Sequence, residues 1–300
     1  MKNVKDIMIK AREEKILIPA MNTPYPEMMK PIIRAVADTN SFALIEVARV
    51  EWEKFGAIST EVIYREYEKH RYPEHVRLHL DHVPVIDEDG LRVDYRSIIQ
   101  TALNLGYESV MIDASRLDLD GNIAAAKEVV NIAHARNVPV EAELGAVLGH
   151  EAGPLPPYEE LFSTGKGFTD IDEAIRFVKE SGTDWLSVAV GSIHGAVSGA
   201  AASEKKVTAR INQEHLAAID KALGIPLVLH GGSGIDLANV REAATHGISK
   251  LNIGTDIRQV WEKTLASSGN KAAEDALYER VKEIITDELQ VAGSAARLLV

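Results

Sequence analysis

The chain has 300 residues, 46% of them hydrophobic and 26% charged, with 45 acidic side chains against 33 basic ones and a formal net charge of −12. That length supplies a full hydrophobic core and, in barrel architectures, is compatible with one domain spanning 1–300. The negative balance argues against a nucleic-acid partner, which needs a basic stripe to neutralise phosphates. Cysteine is absent, which excludes disulfides, thiolate-held zinc and thiol catalysis.

The opening stretch MKNVKDIMIKAREEK interleaves charges with apolar residues, unlike the apolar core of a signal peptide. No apolar run approaches the roughly 20 residues of a membrane span. The expectation is a cytoplasmic protein with no membrane partner. An anionic substrate then needs a local positive feature, such as a metal or a helix N-terminus, because the global charge opposes it.

From there one phrase repeats: a short apolar run, a polar or glycine-containing turn, then a helical pattern. The runs are ILIPAMN (16–22), FALIEVAR (42–49), VRLHLDH (76–82), SVMIDAS (109–115), VPVEAELG (138–145), DWLSVAVG (184–191), IPLVLHGG (225–232) and ISKLNIG (248–254). Near-continuous apolar strands are what a parallel sheet covered on both faces requires. Between them, PEMMKPIIRAVADT, YRSIIQTALNLG, NIAAAKEVVNIAHARN, DIDEAIRFVKESG and NQEHLAAIDKALG carry apolar residues at three- and four-residue spacings, the pattern of amphipathic helices. Asp170 and Asn212 stand where N-caps belong. Eight strand–helix units predict an α/β fold, a single (β/α)8 TIM barrel, with a doubly wound open sheet as the alternative. Residues 146–169, rich in Gly and Pro, read as a long lid loop after strand 5. The segment from about 257 onward reads as two C-terminal helices.

Barrel active sites gather at the C-terminal strand ends, and the polar residues of this chain fall there. Asn22 ends strand 1, Asp81 and His82 end strand 3, and Asp113 and Ser115 end strand 4. Glu141 and Glu143 end strand 5, His194 follows strand 6, His230 ends strand 7 and Asn252 ends strand 8. Three imidazoles from three strand ends, His82, His194 and His230, suit a catalytic Zn2+ with one open position, or another divalent ion such as cobalt, iron or manganese. The bland reading of each histidine alone is a hydrogen-bonded rim residue; their shared end of the barrel favours the metal. Strand alternation puts His79 and Asp81 on one face and His82 on the other. The chain must therefore turn at His82 for both Asp81 and His82 to reach one site, leaving His79 to the wall. The glycine-rich HGGSG (230–234) and NIGTD (252–256) each precede a helix, near Asp236 and near Ile257, and such turns bind phosphate through backbone N–H groups.

Taken together, HLDH (79–82), VMIDAS (110–115), VEAELG (140–145), VAVGSIHG (188–195), LVLHGGSG (227–234) and KLNIGTD (250–256) resemble the motif series of class II fructose- and tagatose-bisphosphate aldolases, over roughly residues 15–265. The resemblance implies a zinc-dependent lyase that cleaves or forms a phosphorylated ketose through the enediolate of dihydroxyacetone phosphate, in a homo-oligomer. It implies His82, His194 and His230 as zinc ligands and Asp113 and Glu143 as carboxylates of a second or alternative metal position. It further implies Asp81 as acid/base on the C4 oxygen and Glu151 as the group exchanging the carbon-bound proton. Asn22, Gly195, Gly231, Ser233, Asn252 and Thr255 are implied as substrate contacts, some also holding a monovalent cation.

The chain departs from that pattern in four places. Val83 and PVIDEDGLRVDY (84–95) follow HLDH, and the lid motif is reduced to Gly149-His150-Glu151-Ala152. HGAVS (194–198) lacks Tyr and Lys, and strand 2 ends in EVAR (46–49) without Ser or Thr. By the resemblance, most of these positions lie around the aldehyde half and the lid, so the aldehyde partner need not be glyceraldehyde 3-phosphate. The competing functions are a metal-dependent sugar-phosphate epimerase or isomerase and a non-catalytic aldolase subunit.

Overall fold

Residues 2–145, 158–192, 209–232 and 235–300 are described by the computed structural model. The apolar runs form β1 (Ile18–Asn22), β2 (Ala43–Ala48), β3 (Val76–Pro84), β4 (Ser109–Asp113), β5 (Val140–Leu144), β6 (Trp185–Val188), β7 (Leu227–Leu229) and β8 (Ile248–Ile253). Each pairs in parallel with its sequence neighbour, and β8 closes on β1. The open-sheet alternative is thereby excluded. Strands β1, β2, β5, β6, β7 and β8 are buried along their whole length, which is why their sequences are almost continuously apolar.

The helices of the first half are α1 (Val4–Glu14), α2 (Met29–Asp38), α3 (Arg49–Lys54), α4 (Thr60–His70), α5 (Tyr95–Leu105) and α6 (Leu119–His134). Those of the second half are α7 (Tyr158–Thr164), α8 (Ile171–Ser181), α9 (Gln213–Leu223), α10 (Leu237–Ala243), α11 (Thr255–Ser268), α12 (Asn270–Glu283) and α13 (Ala295–Leu298). Asp170 and Asn212 cap α8 and α9, accepting from the backbone N–H of Glu173 and His215 at 2.9 and 3.0 Å. The two expected C-terminal helices are α11 and α12; α12 packs on α11 and α2, beside the barrel.

Three expectations change. Residues 158–164, read as part of the loop after β5, form α7, and 146–157 lie outside the described residues. A third helix, α13, follows the two expected in the C-terminal segment. Helices α1 and α3 were not anticipated, whereas α4 is the helix of the second strand–helix unit. α3 escapes notice because it begins directly at the end of β2, and its N-cap, Ala48, has no polar side chain; Glu51 reaches back to bond the Ala48 N–H instead, half of a capping box.

One irregularity sets the geometry of the site. In the β3–β4 register Leu80 faces Val110, but Val83 faces Ile112. Asp81 and His82 therefore oppose a single residue, the definition of a β-bulge, which re-aims side chains at a strand end. This is the turn that the alternation conflict at Asp81-His82 demands.

Candidate active site

The bulge brings His82 to His230, from the end of β7: Nε2 of the first lies 2.5 Å from Nδ1 of the second. The His82 Nδ1 faces Asp113 Oδ2 at 3.4 Å, and His230 Nδ1 lies 3.5 Å from Glu143 Oε2. Ligand atoms of Asp81, His82 and His230 fall within 4.8 Å of one another, as do those of His82, Asp113 and Glu143. Nitrogen and carboxylate donors converging at this spacing fit a divalent first-row metal. Electrostatics agree. Burial opposes charge on His82, yet Asp81, the bond to Asp113 and Glu143 together push it up to about 10. Glu143 is pushed up to about 8 by burial and by Asp113 beside it. The pocket therefore demands positive charge, which a proton or a metal ion supplies.

His230 is oriented from behind. Its Nε2 bonds Glu141 Oε1 at 2.8 Å, and Glu141 takes a further bond from the Trp185 indole at 2.7 Å. A carboxylate on the far nitrogen fixes the tautomer of a metal-binding histidine. Burial lowers the His230 pKa, and the neighbouring His82 adds to this, so the ring is held neutral as a ligand must be.

Below this layer the barrel interior holds a charge network that the sequence reading missed in part. Lys250 is fully buried, with Nζ 3.0 Å from Glu141 Oε2, 3.1 Å from Glu46 Oε2 and 3.7 Å from Asp81 Oδ1. Burial disfavours its charge, but Glu141, Glu46 and Asp81 more than compensate and raise it. Glu141 is held below the usual carboxylate range: burial opposes, and Lys250, then His230, prevail. Glu46 goes the other way, raised by burial and by Asp81 against the opposing charge of Lys250. His79 bonds Ser109 Oγ at 2.8 Å and is lowered to about 3 by burial and by Lys250, a neutral wall residue as the alternation suggested. Charged letters inside buried apolar runs, Glu46 in β2 and Lys250 in β8, were the available signal.

Asp81 is held by both its oxygens. The Asn22 amide donates to Oδ2 at 3.2 Å, and the Asn252 amide to Oδ1 at 3.0 Å. Burial would raise this carboxyl, but His82, Lys250 and His230 outweigh it and keep it ionised. Asn22 and Asn252, read as substrate contacts, thus meet Asp81 directly; the Asn252 Oδ1 has no hydrogen-bond partner among the described residues. Gly231 takes φ +70°, the left-handed region that favours glycine. At Gly232 a Cβ would stand 2.6 Å from Leu251 Cδ1, so the β7 loop lies tight on β8. Thr255 opens α11, and Asp236 caps α10, accepting from Ala238 and Asn239 N–H. Glu151, His194, Gly195 and Ser233 lie outside the described residues.

The profile of the class-II fructose-bisphosphate aldolase family matches residues 2–297. A 6-phospho-5-dehydro-2-deoxy-D-gluconate aldolase of Halalkalibacterium halodurans is 39% identical over 62% of this chain and 56% of its own length, so the match spans a little over half of that relative. A fructose-bisphosphate aldolase of Thermus caldophilus is 29% identical over 97% of this chain and 98% of its own. Among solved structures, the YdjI aldolase of Escherichia coli K12 superposes with a TM-score of 0.76 at 26% identity, covering 98% of this chain and 99% of that one. Among the described residues no helix is long and apolar enough to cross a membrane. With a closed barrel, converging metal donors and a family match over nearly its whole length, the chain belongs to the class-II fructose-bisphosphate aldolases, metal-dependent carbon–carbon lyases acting on sugar phosphates.

Proposed function

We propose that the protein is a zinc enzyme in which His82 and His230, with His194, hold the ion, Asp113 and Glu143 offer a second or alternative position, and Asp81 is the acid/base. The observation that carries this reading is the convergence of His82 Nε2 and His230 Nδ1 beside an ionised Asp81. A divalent ion on these donors supplies Lewis acidity toward a ketose carbonyl.

Asp81 takes the proton from the hydroxyl on the carbon whose bond to the ketose half breaks. The electron pair of that bond passes into the carbonyl of the dihydroxyacetone phosphate half, and Glu151 returns a proton to its carbon. The two asparagine amides fix Asp81 for this step. Gly195, Gly231, Ser233, Asn252 and Thr255 are assigned to the phosphate end, with a monovalent cation there, since backbone N–H groups at such turns suit an anion.

The departures around the aldehyde half favour an aldehyde other than glyceraldehyde 3-phosphate, in keeping with the name of the 39%-identical 6-phospho-5-dehydro-2-deoxy-D-gluconate aldolase. The protein is further proposed to act in the cytoplasm as a homo-oligomer. A panel of phosphorylated, unphosphorylated and acidic aldehydes, tested for zinc-dependent condensation with dihydroxyacetone phosphate, decides the reading. One aldehyde forming a ketose phosphate supports it; failure of all, or isomerisation without triose phosphate, overturns it.

A further inference from the structure

We propose that Arg49 is a positioning residue for the aldehyde subsite, acting through Asp87 and the hairpin that follows β3; this rests on the aldolase reading above. Two of the departures from the aldolase pattern, the strand-2 ending EVAR (46–49) and the segment 84–95, meet in one structure. After β3 the chain forms a short antiparallel hairpin. Asp87 N–H donates to Leu91 O at 2.9 Å, Val93 N–H donates to Val85 O at 3.1 Å, and Ile86 pairs with Arg92. The turn is built on the Asp87 side chain, whose Oδ1 accepts the Asp89 and Leu91 N–H groups at 3.1 and 2.8 Å. The other oxygen, Oδ2, accepts from Arg49 Nη1 at 3.3 Å, and the Asp87 side chain is only 4% exposed. A second tie runs from Lys54, at the end of α3, to Glu88 and Asp89 at 3.1 and 3.5 Å.

Both ends of this clamp are rooted at the site. Arg49 follows Ala48, the β2 residue opposite Asp81 in the β2–β3 register, and α3 leaves the strand there without a loop. The hairpin begins just past His82, where Val85 N–H donates to the Asp113 carbonyl at 2.9 Å. Asp81 has to reach the hydroxyl oxygen that becomes the aldehyde, whereas the phosphate end is assigned to the loops after β6, β7 and β8. The aldehyde half therefore starts at Asp81 and runs away from those loops, toward the strand ends that Arg49 and the hairpin occupy. A lone two-stranded hairpin is marginal in water, so its side-chain ties to α3 decide where this one rests. The Arg49 side chain is 19% exposed and that of Lys54 39%, so the more enclosed Arg49–Asp87 pair is screened less and carries more of the hold.

Arg49→Met removes the cation and keeps an unbranched side chain. Asp87→Asn removes the anion but keeps an oxygen for the Asp89 and Leu91 N–H groups. Zinc-loaded wild type and variants are given dihydroxyacetone phosphate with glycolaldehyde, which is too short to reach the hairpin. They are also given D-glyceraldehyde, D-glyceraldehyde 3-phosphate, D-erythrose and D-glucuronate, which extend further. Wild type should prefer one of the longer aldehydes. In both variants the KM for that aldehyde should rise about tenfold, the worth of one charge-assisted hydrogen bond. The KM for dihydroxyacetone phosphate, the reaction with glycolaldehyde and the zinc content should stay within about twofold. Arg49→Lys should recover part of the loss, and the double variant should lose no more than either single one. In the substrate-free protein the Leu91 amide should exchange with deuterated water faster in Arg49→Met than in wild type. Equal losses with glycolaldehyde, additive losses in the double variant, unchanged Leu91 exchange, or a wild type with no preference for a longer aldehyde overturn the inference. A wild type that condenses no aldehyde at all overturns the aldolase reading itself, a separately recognisable outcome.

Discussion

His82 and His230 are 148 residues apart in sequence, yet their ring nitrogens stand 2.5 Å apart. Two imidazoles at that distance, ringed by Asp81, Asp113, Glu141 and Glu143, form a site whose charge balance calls for a cation. Replacing either ring by alanine removes a donor: His82→Ala or His230→Ala should bring bound metal from about one per chain to a small fraction, read by elemental analysis of protein purified in zinc, while the fold persists by circular dichroism. Full metal content in both variants sinks the site.

Asp81→Asn keeps the size and both asparagine neighbours but cannot take a proton. Condensation should fall by about 10²- to 10⁴-fold, the usual contribution of a positioned acid/base. Metal content and hydrogen exchange into dihydroxyacetone phosphate should survive. A variant that loses exchange as severely as condensation would show that Asp81 serves the metal rather than the proton.

Lys250 faces Glu46, Asp81 and Glu141 together in the barrel interior. Lys250→Met fills similar volume but leaves buried carboxylates uncompensated, an effect of about 3–5 kcal/mol where one partner of a buried pair is removed. Chemical denaturation should show a loss of that size, partly recovered by adding Glu141→Gln. An unchanged midpoint contradicts the network.

Stability of the metal-free protein should depend on pH through Glu51. Burial, with the charge of Asp81 adding to it and the Ala48 N–H opposing it, raises its pKa from 4.5 to about 8. Between those values the folded state binds more protons than the unfolded one, so this contribution is fully present below about 4.5 and is lost as pH rises through about 8. Denaturation at pH 5, 6.5 and 8.5 should show wild type losing more stability across the series than Glu51→Gln. Parallel curves for the two proteins refute the assignment.

Much of this was legible in residue order, for identifiable reasons. The eight strands announce themselves because a doubly covered parallel sheet admits few polar residues, and Asp170 and Asn212 because a cap needs an oxygen at one position. The bulge could be foreseen from a conflict: Asp81 and His82 cannot share a face in regular β-structure. The Lys250 network was not legible in full. Its members sit on β2, β3, β5 and β8, and only barrel closure brings β8 beside β1 and across from β5. α7 was hidden in a stretch whose glycines and prolines read as loop, and α3 because it starts at the strand end with no turn residues to mark it.

The central claim is that C–C bond formation here depends on one divalent ion held by His82 and His230. Metal-free protein should be titrated with zinc while condensation with dihydroxyacetone phosphate is followed, using an aldehyde accepted by the untreated enzyme. The account predicts no activity without metal, a linear rise, and a plateau at one equivalent per chain. Full activity in the presence of chelator, or a rise unaffected by His82→Ala, would contradict it.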